Sequence, residues 1–459
     1  MLFTQYYLDC LSHASYLVAD ETTGRAVVVD PKRDVTDYLA DAEEKGLTIE
    51  AVINTHFHAD FVAGHLELAD RTGAWIGYGR RAETEYPSRK LADGERIVLG
   101  DVILEVMETP GHTPESISIL VYEHADDTVP YGVLTGDALF IGDVGRPDLL
   151  ASLGSTAEEL GRMLYDSVQR KLMGLHDDVR VFPAHGAGSA CGKNLSTERW
   201  STIGEQRRTN YACRPMDEET FLTLVTAGQP AAPSYFAYDA VLNRKQREVL
   251  DPEKIVVALS AEDFLARRAA GAVVVDSRDP QEYAAGHLRG SLNVPVDGRF
   301  AETAGSVLQP GTPLLVVAPE GQEAETLVRL ARVGFDTTVG YLPEPENVFV
   351  TVPEEMESSV RVTAAALSER LRDAEPPVVL DVRNQGERDQ GAIPGSLHIP
   401  LAELPSRMDE VPSGRPVVVH CAGGYRSSVA ASLLRARGRS DVSDLLGGYA
   451  AFQALHQTA

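Results

Sequence analysis

An internal repeat restricts the fold of this chain more than any other feature. Val273 to Arg278 (VVVDSR), followed by Gly286 to Pro295 (GHLRGSLNVP), returns as Val378 to Arg383 (VVLDVR) and Gly391 to Pro400 (GAIPGSLHIP), an offset of 105 residues between Asp276 and Asp381. A third apolar run follows in each copy, Leu314 to Val317 (LLVV) and Val417 to His420 (VVVH). Short β-branched runs bounded by turn residues mark buried strands of a parallel sheet. Two α/β domains of one kind are therefore expected at residues 255–345 and 360–459. The Pro- and Glu-rich stretch Leu342 to Met356 (LPEPENVFVTVPEEM) reads as the linker between them.

Ahead of the repeat, residues 1–245 are expected to form a separate unit. Ala26 to Asp30 (AVVVD) and Ala51 to Asn54 (AVIN) read as buried strands, with Val35 to Lys45 as an amphipathic helix between them. Gly228 to Tyr238 (GQPAAPSYFAY) closes the unit, and polar helical sequence continues to about Pro252. Composition excludes two classes of partner. With 42 Lys+Arg against 68 Asp+Glu the net charge is −26, which disfavours nucleic acid. No apolar run approaches the roughly 20 residues of a membrane-spanning helix. Met1 to Asp20 lacks the basic start and apolar core of a signal peptide, so the expected location is cytoplasmic. The four cysteines (Cys10, Cys191, Cys213 and Cys421) form no CxxC pair, in keeping with a reducing compartment.

Two groups of residues carry chemistry. Thr55 to Asp60 (THFHAD) directly follows the strand AVIN, placing His56, His58 and Asp60 at a strand's C-terminal end, where sites of α/β folds gather. His112 in TPGHT, Asp137 in LTGD and His185 in FPAHG each close a short apolar run beside Gly or Pro. Any one of these could be a solvated turn; together they are candidate metal ligands. Near the C-terminus, Cys421 to Ser427 (CAGGYRS) lies between the strand VVVH and the helix former SVAASLLRAR. Backbone amides, the helix N-terminus and Arg426 would there favour a thiolate and hold a sulfur-bearing anion.

The first group resembles the metallo-β-lactamase fold family over roughly residues 1–240. The resemblance implies an αββα sandwich, so the expected fold class is α/β, this sandwich followed by two α/β domains with parallel sheets. The family's usual first motif is HxHxDH, and its last position here is Phe61, which cannot hold a second metal. The persulfide dioxygenase branch is similar at several points, and implies one Fe(II) per chain bound by His56, His112 and Asp137. His58, Asp60 and His185 would surround it, orienting ligands or a bound water by hydrogen bonds. In GRPD, an exposed Arg146 beside Asp148 would face an anionic substrate or its thiol carrier. The loop HGAGSACGK (His185 to Lys193) brings Cys191 to the edge of the site, where Lys193 could lower its thiol pKa. Cys191 is then a sulfur relay or a packing cysteine.

CAGGYRS resembles the rhodanese family, which implies Cys421 as nucleophile, Arg426 as its cationic partner, and Gly423, Gly424 and Tyr425 in the substrate loop. Tyrosine phosphatases share such an anion loop, but with a longer spacing between Cys and Arg. In the first copy of the repeat Ala318 stands opposite Cys421 and Glu323 opposite Arg426, so that copy is expected to be inactive. Taken together, the resemblances imply a persulfide dioxygenase fused to an inactive and an active rhodanese domain. Its substrates would be glutathione or coenzyme A persulfide and dioxygen, its products sulfite and thiosulfate, and its assembly a homo-oligomer. Two alternatives stand beside it: a glyoxalase II-like glutathione thioester hydrolase carrying a separate sulfurtransferase, and a non-enzymatic sulfur carrier.

Overall fold

Strand alternation builds the N-terminal unit. Along His13–Asp20, Tyr16 and Val18 face one apolar cluster while Leu17 and Ala19 face another, and along Arg25–Val29, Val27 and Val29 part from Ala26 and Val28 in the same way. Each of these strands is buried on both faces, which is why its sequence is almost uninterruptedly apolar. The computed structural model describes residues 1–149 and 154–457. Six strands from Leu2–Leu8 to Arg89–Leu91 lie in chain order in one sheet, antiparallel at first and parallel from Arg25–Val29 onward. Six more, from Arg96–Val98 to Ser201–Thr202, form a second sheet. The cluster of Tyr16, Val18, Val29, Leu104, Ile119 and Val121 fills the space between them. Helix Thr36–Glu44 supplies Tyr38 and Ala42 to the outer face of the first sheet, and Leu164 of helix Ala157–Tyr165 packs on the outer face of the second. This is the expected αββα sandwich.

The chain divides into two compact units, Met1–Leu250 and Asp251–Ala459. The first extends past residue 245 because Asn243 and Arg247 are tied back into it. Asn243 accepts from the Ala63 N–H and donates to the carbonyls of His58 and Phe61 (2.8–2.9 Å). The buried carboxylate of Glu67 accepts from Arg247 (2.5 and 2.9 Å), from Arg33 (3.3 Å) and from the Leu250 N–H (3.0 Å).

In the second unit the two copies of the repeat form separate parallel sheets. The first is ordered Leu292–Asn293, Val273–Asp276, Leu314–Val317, Thr338–Tyr341. The second is ordered Arg361–Val362, Val442–Leu445, Val417–His420, Val378–Asp381, Leu397–His398. The stretch expected to be a linker is instead part of the first copy. Leu342 and Phe349 are buried in its core, Val348, Val352 and Met356 pack against that core, and Met356–Glu357 pairs with His287–Leu288. Apolar residues spaced among the Pro and Glu hold it there. Among the described residues, no helix is long and apolar enough to cross a membrane.

Two expectations about stability follow. Glu67→Ala leaves two guanidinium groups buried without their carboxylate and should cost about 3–5 kcal/mol, read as a fall in the urea midpoint of the N-terminal unit. In the repeat unit, burial holds His287 and His420 down at about 4 against an ordinary 6.5. Both are neutral in the native state and protonate more readily when unfolded. Their stabilising contribution is therefore complete above pH 6.5 and is lost as pH falls toward 4. The Tm of the repeat unit should drop across that window, and the variant His287→Gln/His420→Gln should drop less.

Candidate functional site

Loops at the strand ends of both sheets bring His56, His112 and Asp137 together, all fully buried, with one ligand atom of each within 4.8 Å of the others. The Nε2 atoms of His56 and His112 stand 3.8 and 3.4 Å from Asp137 Oδ2. These separations exceed a hydrogen bond and approach the edges of a coordination shell with bonds of about 2.0–2.2 Å. The far nitrogens are already committed. His56 Nδ1 pairs with Thr55 Oγ1 (2.9 Å), whose own hydroxyl donates to Asp30 (2.8 Å), and His112 Nδ1 donates to the Arg146 carbonyl (2.9 Å). Pinning one ring nitrogen so that the other can ligate is how metal-binding imidazoles are normally oriented. His56 Nε2 and both Asp137 oxygens have no hydrogen-bond partner, an expensive arrangement for buried polar atoms without a cation. Burial, reinforced by the neighbouring His58 and His112, lowers the His56 pKa far below its ordinary value, so the ring is neutral and available as a ligand. The residues fit a metal ion.

Two glycines are obligatory here. Gly136 (φ +52°) passes Thr55 so closely that a Cβ would lie 2.6 Å from its Oγ1, and a Cβ on Gly145 would lie 1.9 Å from the Asp137 carbonyl oxygen. The backbone that carries Asp137 is thus pressed against the groups that orient His56 and His112.

His58, Asp60 and His185 form a second trio within 4.8 Å. Their expected part in orienting the first three ligands falls instead to Thr55, Asp30 and the Arg146 carbonyl. His58 Nε2 is spent on Asp30 (3.0 Å), whose charge raises the His58 pKa against the effect of burial, and His185 Nδ1 donates to the Ser12 carbonyl (3.2 Å). His185 Nε2 lies 3.3 Å from Asp60 and 3.6 Å from Asp137. The Phe61 ring packs against His58 (4.4 Å between centroids) and against His13 (4.1 Å). His13 and Asp30 were invisible as site residues in the sequence: one is a lone histidine opening a strand, the other looks like a strand end. Asp30 has φ +52°, rare outside glycine, and that turn aims its carboxylate at Thr55 and His58.

Two expectations fail in this region. Arg146 is buried rather than exposed, bidentate to Asp148 (2.7 and 2.6 Å) and donating to the Ala190 carbonyl (3.3 Å), so its guanidinium faces no solvent. Cys191 does lie beside the site, within 4.8 Å of Asp137 and His185, but among the described residues its surroundings oppose the thiolate. Lys193 Nζ is held by the carbonyls of Leu224 and Ala227, and burial together with the Asp60 and Asp137 charges raises the thiol pKa well above its ordinary value. Cys10 and Cys213 are buried, and burial pushes Cys213 up to about 12.

The second site is built on the last repeat. Cys421 follows strand Val417–His420, and the Gly424 N–H, at φ +110°, donates to its sulfur (3.1 Å). The carbonyls of Cys421 and Ala422 point the other way and accept from Tyr449 and Ala450 (2.7 and 3.1 Å), at the N-terminus of helix Gly448–Gln457. The loop therefore presents donors to the sulfur and acceptors to the helix behind it. Ser427 Oγ lies 3.6 Å from Sγ, and Gly423 is open on its Cβ side. Arg426 is bidentate to Glu387 (2.6 and 2.7 Å), and holds that carboxyl below its ordinary range despite burial. Tyr425 departs from expectation, since its phenol donates to the Pro295 carbonyl in the other copy (2.8 Å) and leaves only its backbone at the loop. In that other copy Ala318 follows strand Leu314–Val317 and Glu323 opens helix Glu323–Arg332, so no nucleophile stands in the equivalent loop.

Comparison with known proteins agrees with both folds. The metallo-beta-lactamase superfamily profile matches residues 8–185, and the rhodanese-like domain profile matches twice, at 260–344 and 363–455. The crystal structure of a metallo-beta-lactamase from Staphylococcus aureus subsp. aureus COL superposes with a TM-score of 0.67 at 33% identity, covering 75% of this chain and 99% of that one. Persulfide dioxygenase ETHE1 of Bos taurus is 30% identical over 186 residues, 40% of this chain and 68% of its own. Hydroxyacylglutathione hydrolase of Rhodospirillum rubrum is 33% identical over 231 residues, 50% of this chain and 80% of its own. A beta-lactamase hydrolase-like protein of Xylella fastidiosa (strain 9a5c) is 28% identical over 48% of this chain, which spans 54% of that relative's length. The chain belongs to the metallo-beta-lactamase superfamily through its N-terminal unit, which resembles the ETHE1 persulfide dioxygenase, and it carries two rhodanese-like domains after that unit.

Proposed function

We propose that the N-terminal unit is an iron(II) persulfide dioxygenase and that Cys421 is the nucleophile of a sulfurtransferase in the same cytoplasmic chain. A thiol persulfide, dioxygen and water give the free thiol, sulfite and two protons, the outer sulfur losing four electrons to the dioxygen. Cys421 persulfide then passes its outer sulfur to sulfite, forming thiosulfate and restoring the thiol; the reverse direction supplies persulfide instead. The observation that carries the dioxygenase reading is the trio His56, His112 and Asp137, two imidazoles and one carboxylate with their outer nitrogens pinned. Two histidines and a carboxylate are the ligand set of non-haem iron oxygenases, and an iron(II) ion held there would supply the redox chemistry that dioxygen needs. Thr55 and the Arg146 carbonyl keep both rings in the ligating tautomer, and the apolar Phe61 keeps a second cation from completing its shell. One iron per chain is the stoichiometry of this reading. Glutathione and coenzyme A persulfides are the candidate carriers, and Cys191 stands where a relayed sulfur would meet the metal ligands. Joining both activities in one chain raises their mutual effective concentration. We propose three domains near the expected limits 1–245, 255–345 and 360–459, with the first running on to Leu250 and the second through Glu357.

One observation favours a second reading. The trio His58, Asp60 and His185 is itself compact enough for a metal. With two zinc ions the unit would suit a glutathione thioester hydrolase, in which metal-bound water is the nucleophile.

The deciding experiment is oxygen uptake by iron-reconstituted protein given glutathione persulfide or coenzyme A persulfide, with a glutathione thioester in parallel and metal content measured by elemental analysis. The dioxygenase reading predicts uptake matched by sulfite, with one iron per chain. Thioester hydrolysis with two metals and no uptake would replace it by the hydrolase. His112→Ala should reduce uptake at least about 100-fold and leave thiosulfate:cyanide sulfur transfer intact, while Cys421→Ser should do the reverse.

A further inference from the structure

The copy of the repeat that lacks a nucleophile is fastened to one helix of the copy that has it. Tyr425, Ser428, Ser432 and Arg435 of helix Tyr425–Ala436 lie at spacings of three, four and three, one stripe along its surface. All four meet the first copy. Tyr425 donates to the Pro295 carbonyl (2.8 Å), the Ser428 hydroxyl donates to Asn293 Oδ1, Ser432 Oγ accepts from the Asn293 N–H (2.9 Å), and the Arg435 guanidinium lies 5.9 Å from the Tyr283 ring centre.

Asn293 is the hub of this contact. It is fully buried on Leu292–Asn293, the edge strand of its sheet, and its Nδ2 donates to the carbonyls of Asp276 and Arg278 (3.1 and 3.0 Å). Its Oδ1 and its backbone N–H are both given to the helix. The repeat separates these two roles. His398 occupies the same position in the second copy and reproduces the donation, from Nε2 to the Arg383 carbonyl (2.8 Å). A histidine thus keeps one of the two bonds this position gives to its own fold, the one to the arginine carbonyl; the amide oxygen that receives Ser428 is an addition of the first copy.

The same helix starts at Gly424, whose N–H donates to Cys421 Sγ, and it carries Arg426 in its first turn. The carbonyl side of the Cys421 loop is anchored independently, on Tyr449 and Ala450. Any slip or roll of helix Tyr425–Ala436 therefore moves the donors relative to the sulfur, whose loop stays tied to the other helix.

We propose that Asn293 is a positioning residue for Cys421, acting through Ser428 and Ser432 to fix the helix whose N-terminus forms the sulfur's cradle, so that the cysteine-less copy serves the sulfur-transfer step of its neighbour. The proposal rests on Cys421 being the sulfur-transferring nucleophile.

The test is Asn293→His in the full chain, which installs the repeat's own alternative, keeps the donation to Arg278 and removes the acceptor for Ser428. Because a larger ring at a buried position could disturb packing, Ser428→Ala removes the same bond from the other side. Each variant should lower kcat for thiosulfate:cyanide sulfur transfer about tenfold with little change in the KM for thiosulfate. Each should also slow alkylation of Cys421 by iodoacetamide at neutral pH by a similar factor, while Tm and oxygen uptake stay near those of the parent. The double variant should lose no more than the larger of the two single losses, since both remove the same Asn293–Ser428 bond. Parent-like kcat and alkylation in both single variants would overturn the proposal, as would losses that only track a fall in the folded fraction. Sulfur transfer surviving in Cys421→Ser would refute the nucleophile reading instead; alkylation, which reports on the sulfur directly, would still decide whether Asn293 positions it.

Discussion

The buried carboxylate of Asp30 supports the metal loop. It accepts the Thr55 N–H (2.7 Å), the Thr55 hydroxyl (2.8 Å) and His58 Nε2–H (3.0 Å), and through Thr55 it fixes the tautomer of His56. A carboxylate taken out of water is tolerated only when protein donors replace the water, and three do so here. The left-handed turn at residue 30 is local strain that this bonding offsets. Remove that carboxylate and Thr55, His56 and His58 all lose their reference point at once, whereas loss of any one ligand leaves the others in place.

The repeat shows how one backbone carries two different duties. Both copies keep the buried turn in which an arginine folds back on an aspartate two residues before it, Arg278 on Asp276 and Arg383 on Asp381, with nearly identical distances. This ion pair is local, and it closes the strands Val273–Asp276 and Val378–Asp381 regardless of chemistry. What differs lies at the ends of Leu314–Val317 and Val417–His420, where a buried methyl in one copy replaces a sulfur in the other. Fold and chemistry are therefore specified by separate residues, and the chemistry was removable without touching the frame.

The candidate residues at the ends of apolar strands were legible as candidates. Asp137 and Cys421 directly follow the strands Gly132–Gly136 and Val417–His420, and His56 and His185 lie three and two residues past Thr48–Ile53 and Arg180–Pro183. The αββα sandwich and the two parallel sheets were legible from the same apolar runs, and from the likeness of motif. What escaped depends on contacts between distant parts of the chain. Asp30 and Thr55 lie 25 residues apart, Asn243 reaches back to the loop of His58 and Phe61, and the Ala190 carbonyl that receives Arg146 and the carbonyls that hold Lys193 are announced by no pattern. Charge read along the sequence also misled. Lys193 is two residues from Cys191, yet its amine is drawn away, and the thiol's neighbours are carboxylates. The supposed linker misled in the opposite sense, since its Pro and Glu content hid five apolar residues with a place in or against the core.

Phe61 shows how far a single side chain bears on the choice between one metal and two. Its ring lies between those of His13 and His58 and is fully buried, so an apolar body occupies the space beside the second trio. A cation gains most where the ligand atoms around it are unspent. In the first trio the outer nitrogens are pinned, and His56 Nε2 and both Asp137 oxygens have no hydrogen-bond partner. His58 Nδ1, Asp60 Oδ1 and His185 Nε2 of the second trio are unspent as well. What sets the second trio apart is the position that follows Asp60, which offers carbon where a nitrogen would be needed. The asymmetry between the two trios thus rests on one apolar side chain. It places the stronger claim on the side of Asp137 shared with His56 and His112.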